Sequence, residues 1–395
     1  MATLRQAIER QREAGALPKG TSRGLRALNQ QYAPQPAGSL RGLLARMDVS
    51  EKKPWAVILC RLQGEPVDPA REDPVAAFYR EIFAPGTEGL VEFWRDASLG
   101  AIDIRGTRVF DWVTVKVPRS QAGGSPITVP TGPGRSGLVD AAIRAVRDAG
   151  GDAETGFHSQ IAIYVENWSK DGVDQSDDFA AWGPFWLDGS ADSRGKVTLT
   201  PPHVGDVTAH EMGHGFGLQH DVSADFQTHY ADPCCIMSQA PLFSSPRWNV
   251  NFGAPLCLAH LDQRRWMYRH RLFHDDGGWV NLGEGISLPL APLTEPGQRA
   301  NLGIKLTNPD VGWDYCLEYV RPTGWYRGLA EATVFVRRIG PGKDVGPTPS
   351  ILGSIVVPRD QTGSASFLEP SLNVLFEVAR FDPDGHIVRV TATRV

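Results

Sequence analysis

The chain has 395 residues, 41% hydrophobic and 22% charged, which gives length for two or three domains and excludes global disorder. Its 42 glycines and 30 prolines point to many turns and exclude a simple helical bundle. With 40 basic against 45 acidic residues, a net charge of −5 and no Lys/Arg-rich block, nucleic acid is not an expected partner, and no apolar run is long enough for a membrane-spanning helix.

The N-terminus lacks the apolar core of a secretory signal. Location stays open between extracellular, by a non-classical route or as a mature form, and cytoplasmic. Residues 1–50 read as an extension in which helical patterns at Leu4–Ala14 and Leu40–Met47 flank a Gly/Pro/Gln-rich stretch, either a pro-segment or a surface-docked appendage.

The run Trp55–Leu62 is apolar and β-rich, as expected of a buried strand with Cys60 as a core thiol. Asp73-Pro74 carries an N-cap and a first-turn proline, predicting a helix over Val75–Phe83. Helical patterns follow at Glu88–Ala97 and Leu138–Ala149, the latter ending at Gly150-Gly151, with strands over Ile102–Val117, joined at Gly106, and over Gln160–Val165. Alternating strands and helices predict an α/β or α+β layer with a partly parallel sheet. Asn167–Arg194 is loop-like. Its aromatics Trp168, Trp182, Phe185 and Trp186 either shape a substrate subsite or pack the loop onto the core. Its carboxylates Asp171, Asp174, Asp177 and Asp178 either hold calcium or form a solvated acidic loop. Lys196–Thr200 is a short β run.

Beyond Asp275 the character changes. Trp279–Leu282, Ile286–Leu290, Gly303–Thr307, Tyr315–Val320, Ala332–Ile339, Ile355–Arg359, Leu372–Phe381 and Ile387–Thr393 alternate with turn residues, which predicts a β-sandwich over 276–395 after a catalytic unit over 51–275.

The chemistry concentrates in His210-Glu211-Met212-Gly213-His214-Gly215-Phe216-Gly217-Leu218-Gln219-His220-Asp221. On a helix predicted over Val204–Leu218, His210 and His214 lie one turn apart on one face and can bind one ion. Glu211 can reach a water held by that ion, and Gly217 suits a helix stop that turns His220 round as a third nitrogen ligand. Three histidines with a fourth position open match catalytic rather than structural zinc.

This span resembles the extended zinc-binding motif of the metzincin metallopeptidases, and Cys235-Ile236-Met237-Ser238, with Met237 seventeen residues after His220, looks like their Met-turn. The resemblance implies an α+β catalytic domain, a mixed sheet with a long active-site helix, followed by the all-β sandwich. It assigns His210, His214 and His220 to one zinc ion, Glu211 to general base and acid catalysis, Gly217 to the helix stop and Met237 to an apolar floor beneath the metal. Phe93–Gly100, Cys316–Arg321 and Gly324–Gly328 are similar to segments of gametolysin-like and immune-inhibitor-A-like peptidases, a looser likeness over residues 55–340. Asp221 either anchors the Met-turn backbone or caps its own turn. It follows the third histidine as in the adamalysin-like branch. Gln239 stands where astacin-like and serralysin-like enzymes carry a tyrosine, so no tyrosine switch-ligand is expected, and Tyr230 is read as packing.

The implied activity is a zinc endopeptidase acting on protein or peptide substrate, with extended peptide lying along a strand edge such as Lys196–Thr200. Two other readings remain: a glycan- or protein-binding molecule whose sandwich carries the main function, and a zinc hydrolase of another amide. His203, His229, His260, His270 and His274 are read as surface or core residues. Cys234 or Cys235 either pairs with Cys257 in a disulfide or remains a buried thiol.

Overall fold

The computed structural model describes residues 50–118, 134–164, 195–199, 205–225, 228–238, 243–245, 247–248, 250–275, 285–308, 312–341, 347–360, 363–369 and 373–395. The expectations for residues 1–49, the 167–194 aromatic and acidic loop, His203, Gln239 and Trp279–Leu282 lie outside them.

The chain is a mixed α/β protein with several sheets and a β-rich C-terminal region. Its first sheet has strand order β4-β2-β5-β6: β2 is Trp55–Gln63, β4 Arg108–Pro118, β5 Ser159–Tyr164 and β6 Val197–Leu199. All three pairings among the described residues are parallel, and residues 165–194, between β5 and β6, lie outside them. Strand β2 shows why its sequence is an unbroken apolar run: both faces are covered. Trp55, Val57 and Leu59 join one hydrophobic core, while Ala56, Ile58, Cys60 and Leu62 join another, capped by α3 (Gly134–Asp148). On the first face lie α1 (Pro69–Ile82), α2 (Leu90–Ala97) and α4 (Gly205–Gly215).

Helix α1 starts earlier than Asp73-Pro74 suggests. Pro69 occupies its first turn and Pro74 lies inside. Both prolines have a helix-compatible φ, and Pro74 costs the helix one backbone hydrogen bond rather than its start. A minimal parallel pair, β1 (Glu51–Lys52) with β3 (Ile102–Asp103), and the hairpin β7 (Phe243–Ser245) with β8 (Val250–Phe252) complete this part.

The C-terminal region holds two sheets, β10-β17-β16-β15 and β14-β13-β12-β11-β9. Here β9 is Leu272–Asp275, β10 Ile286–Leu290, β11 Gly303–Asn308, β12 Trp313–Val320, β13 Thr333–Pro341, β14 Pro347–Val356, β15 Ser364–Glu369, β16 Val374–Arg380 and β17 Val388–Arg394. Leu288, Leu317, Val336, Phe376 and Val390 from both sheets share one core. Strands β9 and β15 and most of β14 escape sequence reading. Strand β14 carries two prolines and a glycine and sits at a sheet edge, where proline is tolerated; β15, at the edge of the other sheet, is half polar. The predicted Ile355–Arg359 strand is only the end of β14.

The five-stranded sheet is buried on both faces. Along β12, Tyr315, Leu317 and Tyr319 point into the sandwich, while Cys316, Glu318 and Val320 point the other way, toward the histidine helix and its loops. Arg337 on β13 does the same. It is fully buried and pairs with Glu318 (2.8 Å) and with Asp232 in the loop preceding Met237. The segments Phe93–Gly100 and Gly324–Gly328, far apart in sequence, also meet: Trp325 packs edge-on against Phe93 (5.2 Å) and its indole N–H donates to Asp96 (3.0 Å).

Candidate metal centre

Helix α4 is shorter than predicted, ending at Gly215, and the chain reverses in a Schellman turn. The Gly217 N–H donates to the His214 carbonyl (2.8 Å) and the Leu218 N–H to the Gly213 carbonyl (3.0 Å), with Gly217 at φ 79°. A side chain at 217 would be strained in this left-handed conformation. The reversal returns the chain toward the helix face and delivers His220.

Three imidazoles then converge. The Nε2 atoms of His214 and His210 are 3.1 Å apart, and those of His214 and His220 are 2.9 Å apart. The outer nitrogens fix the tautomers of two rings. His210 Nδ1 lies 2.7 Å from the Ile236 carbonyl and His214 Nδ1 2.9 Å from that of Leu218; a carbonyl only accepts, so both Nδ1 atoms carry the proton. In the neutral rings both Nε2 atoms therefore present lone pairs to each other at hydrogen-bond distance, with no proton between them. Such an arrangement is repulsive alone and suits a shared cation. Zinc–nitrogen bonds of about 2.0–2.1 Å in tetrahedral geometry need nitrogen separations of roughly 3.3 Å, close to those found. The residues present thus fit a metal ion, all three being grouped within ligand distance and buried or nearly so.

The surroundings favour the neutral form of His210 and His220. Burial, followed by the His214 charge, lowers the His210 pKa to about 3. That of His220 is also lowered, by burial first and then by the His210 and His214 rings. Glu211 is 1% exposed, next in sequence to His210. Asp206 in the first turn of α4 is raised to about 6 by burial, opposed by its hydrogen bond from the Val207 N–H.

Met237, expected beneath the metal, is fully buried against the histidine helix. Its thioether lies against Gly213, on the helix between His210 and His214, and the Trp94 ring lies close to the same point. The Asp221 N–H donates to the Met237 carbonyl (3.0 Å), so the main chain of Asp221 ties the segment after His220 to this loop. Its side chain turns elsewhere, toward Cys257 and His260. His260 is fully buried, a core residue. All five cysteines are buried free thiols, so of the two alternatives for Cys234, Cys235 and Cys257 the structure has the thiol form.

Two residues that the sequence assigned no part in the site, Tyr230 read as packing and His229 as surface or core, stand beside it. The Tyr230 ring lies 4.3 Å from His220 and 5.8 Å from His210, and His229 stands edge-on to His220 at 5.4 Å. Tyr230 has φ 61°, a strained conformation for a bulky residue, held by its N–H bond to the Asp221 carbonyl (2.9 Å). Neither carries a motif, because their proximity comes from the turn after His220. No helix among the described residues is long and apolar enough to cross a membrane. Comparison with protein-family models and with curated proteins finds no match for this chain.

Proposed function

We propose that this protein is a zinc-dependent endopeptidase of the metzincin type, hydrolysing peptide bonds in protein or peptide substrates. The observation that carries the proposal is the convergence of the His210, His214 and His220 Nε2 atoms, with the buried Glu211 next in sequence to His210. Zinc held there would lower the pKa of a water toward neutrality and polarise a carbonyl as a Lewis acid. Glu211 accepts the proton of the attacking water and delivers it to the departing amine, so the group that takes the proton also returns it. The Ile236 and Leu218 carbonyls hold the two helical imidazoles in the metal-binding tautomer. Met237 and Trp94 supply an apolar floor. Strand β6, last in the parallel sheet among the described residues, would offer an edge for an extended peptide.

The test is metal content together with cleavage of an unfolded protein such as casein, with and without a chelator, for the wild type and Glu211→Gln. Bound zinc with chelator-sensitive cleavage that the substitution abolishes supports the proposal. Near wild-type cleavage by Glu211→Gln, or cleavage unaffected by complete metal removal, overturns it.

A further inference from the structure

A second group of ligand-type side chains lies behind the histidine site. Asp221, Cys235, Cys257 and His260 each place one ligand atom within 4.8 Å of the others, and all four residues are buried. They come from four points of the chain: the residue after the third histidine, the Met-turn, the position preceding α5 (Leu258–Gln263), and α5 itself. The set is two sulfurs, one imidazole and one carboxylate, a borderline-soft donor set that favours zinc over calcium or magnesium.

The contacts within the group are few and long. Asp221 Oδ1 is 3.2 Å from His260 Nε2, a distance that would suit a hydrogen bond, yet neither nitrogen of His260 makes one and Asp221 Oδ2 is also unpartnered. Both groups are fully buried, where an unmade hydrogen bond costs about 1–3 kcal/mol. The Cys257 thiol makes only a long hydrogen bond to Asp221 Oδ1 (4.0 Å). Tetrahedral zinc with bonds of about 2.0–2.3 Å needs ligand separations of roughly 3.3–3.8 Å, and the two separations involving Asp221 Oδ1, 3.2 Å to His260 and 4.0 Å to Cys257, bracket that range.

We propose that Asp221, Cys235, Cys257 and His260 bind a second, structural zinc ion, closed by four protein ligands. Ion entry displaces the two thiol protons to solvent. The bound site then carries one net negative charge, and the buried Arg337 guanidinium lies close enough to act on both Asp221 and Cys257. Such an ion clamps the Met-turn to α5 and to the residue following His220, holding the floor and the third histidine of the first site in register. The inference is independent of the peptidase reading, since it uses none of the three histidines or Glu211.

The experiment uses the full chain, purified with a phosphine reductant and no chelator. Zinc is counted in the wild type, in the triple variant His210→Ala/His214→Ala/His220→Ala, and in Cys235→Ser/Cys257→Ser. About two equivalents in the wild type and about one in each variant are expected. Because the serine variant can fail to fold, two wild-type measurements stand beside it: X-ray absorption at the zinc edge, expected to show zinc–sulfur scattering near about 2.3 Å, and cobalt substitution, expected to give a thiolate-to-metal charge-transfer band that the triple-histidine variant keeps. Zinc without sulfur scattering, or cobalt without that band, overturns the second site. So does a count of only three free thiols in the unreduced denatured chain, which would mean a disulfide. Absence of peptidase activity with the band intact would remove the first reading and leave this one standing.

Discussion

The thioether of Met237 lies where a β-carbon on Gly213 would have to be, with the Trp94 ring 3.5 Å from the same point. Helix and Met-turn therefore approach closely because residue 213 has no side chain. Met237 is fully buried, so a methyl group at 213 must displace sulfur or helix. Gly213→Ala is expected to destabilise the protein by about 1–3 kcal/mol despite alanine's better helix propensity, and to weaken zinc binding. Denaturant unfolding and metal titration read the two effects; a more stable variant with unchanged affinity would contradict the close contact.

Each of the three histidines should matter separately. Loss of a hydrogen-bond partner behind a ligand costs about 10–100-fold in metal affinity, so His210→Ala, His214→Ala and His220→Ala are each expected to weaken zinc at this site more than about 100-fold. Competition against a chelator of known affinity measures it. Unchanged affinity for any one of them removes that residue from the ligand set.

Asp206 predicts a pH dependence. Its pKa rises from 3.8 unfolded to about 6 folded because of burial, so between these values the folded state holds the extra proton. The stability linked to it is present below pH 3.8 and lost as pH rises through about 6. Asp206→Asn removes the ionisation and should be more stable than wild type at pH 7.5 by about 1–3 kcal/mol, at about 1.4 kcal/mol per pKa unit, with the difference shrinking by pH 4.5. Urea unfolding at the two pH values tests the sign.

Arg337 is fully buried between Asp232 and Glu318. Arg337→Leu leaves two carboxylates without their cation and should cost about 3–5 kcal/mol. The triple variant Asp232→Asn/Glu318→Gln/Arg337→Leu, which removes every charge of the group, is expected to be more stable than Arg337→Leu alone. Equal stability of the two would mean that the stranded charges are not the cause.

Local rules were enough for much of this protein. The apolar run of β2, the helix stop at Gly217 and the i, i+4 pair His210 and His214 are readable because each depends on a period or a backbone preference within a few residues. The order of His220 and Met237 along the chain also points to one site. What the sequence could not determine is set by contacts between distant segments. The two-sided burial of β12 and β13 makes Glu318 and Arg337 interior charges; as isolated letters on strands they read as solvent-facing. The packing of the five-stranded sheet against the histidine region carries Arg337 to Asp232, and α5 carries His260 to Asp221. Edge strands β14 and β15 are held by pairing to their neighbours, which overrides their prolines and polar residues. Periodicity sees a residue's own helix or strand, whereas the neighbours that set a buried group's charge or ligands come from the whole chain, and only the tertiary structure chooses them.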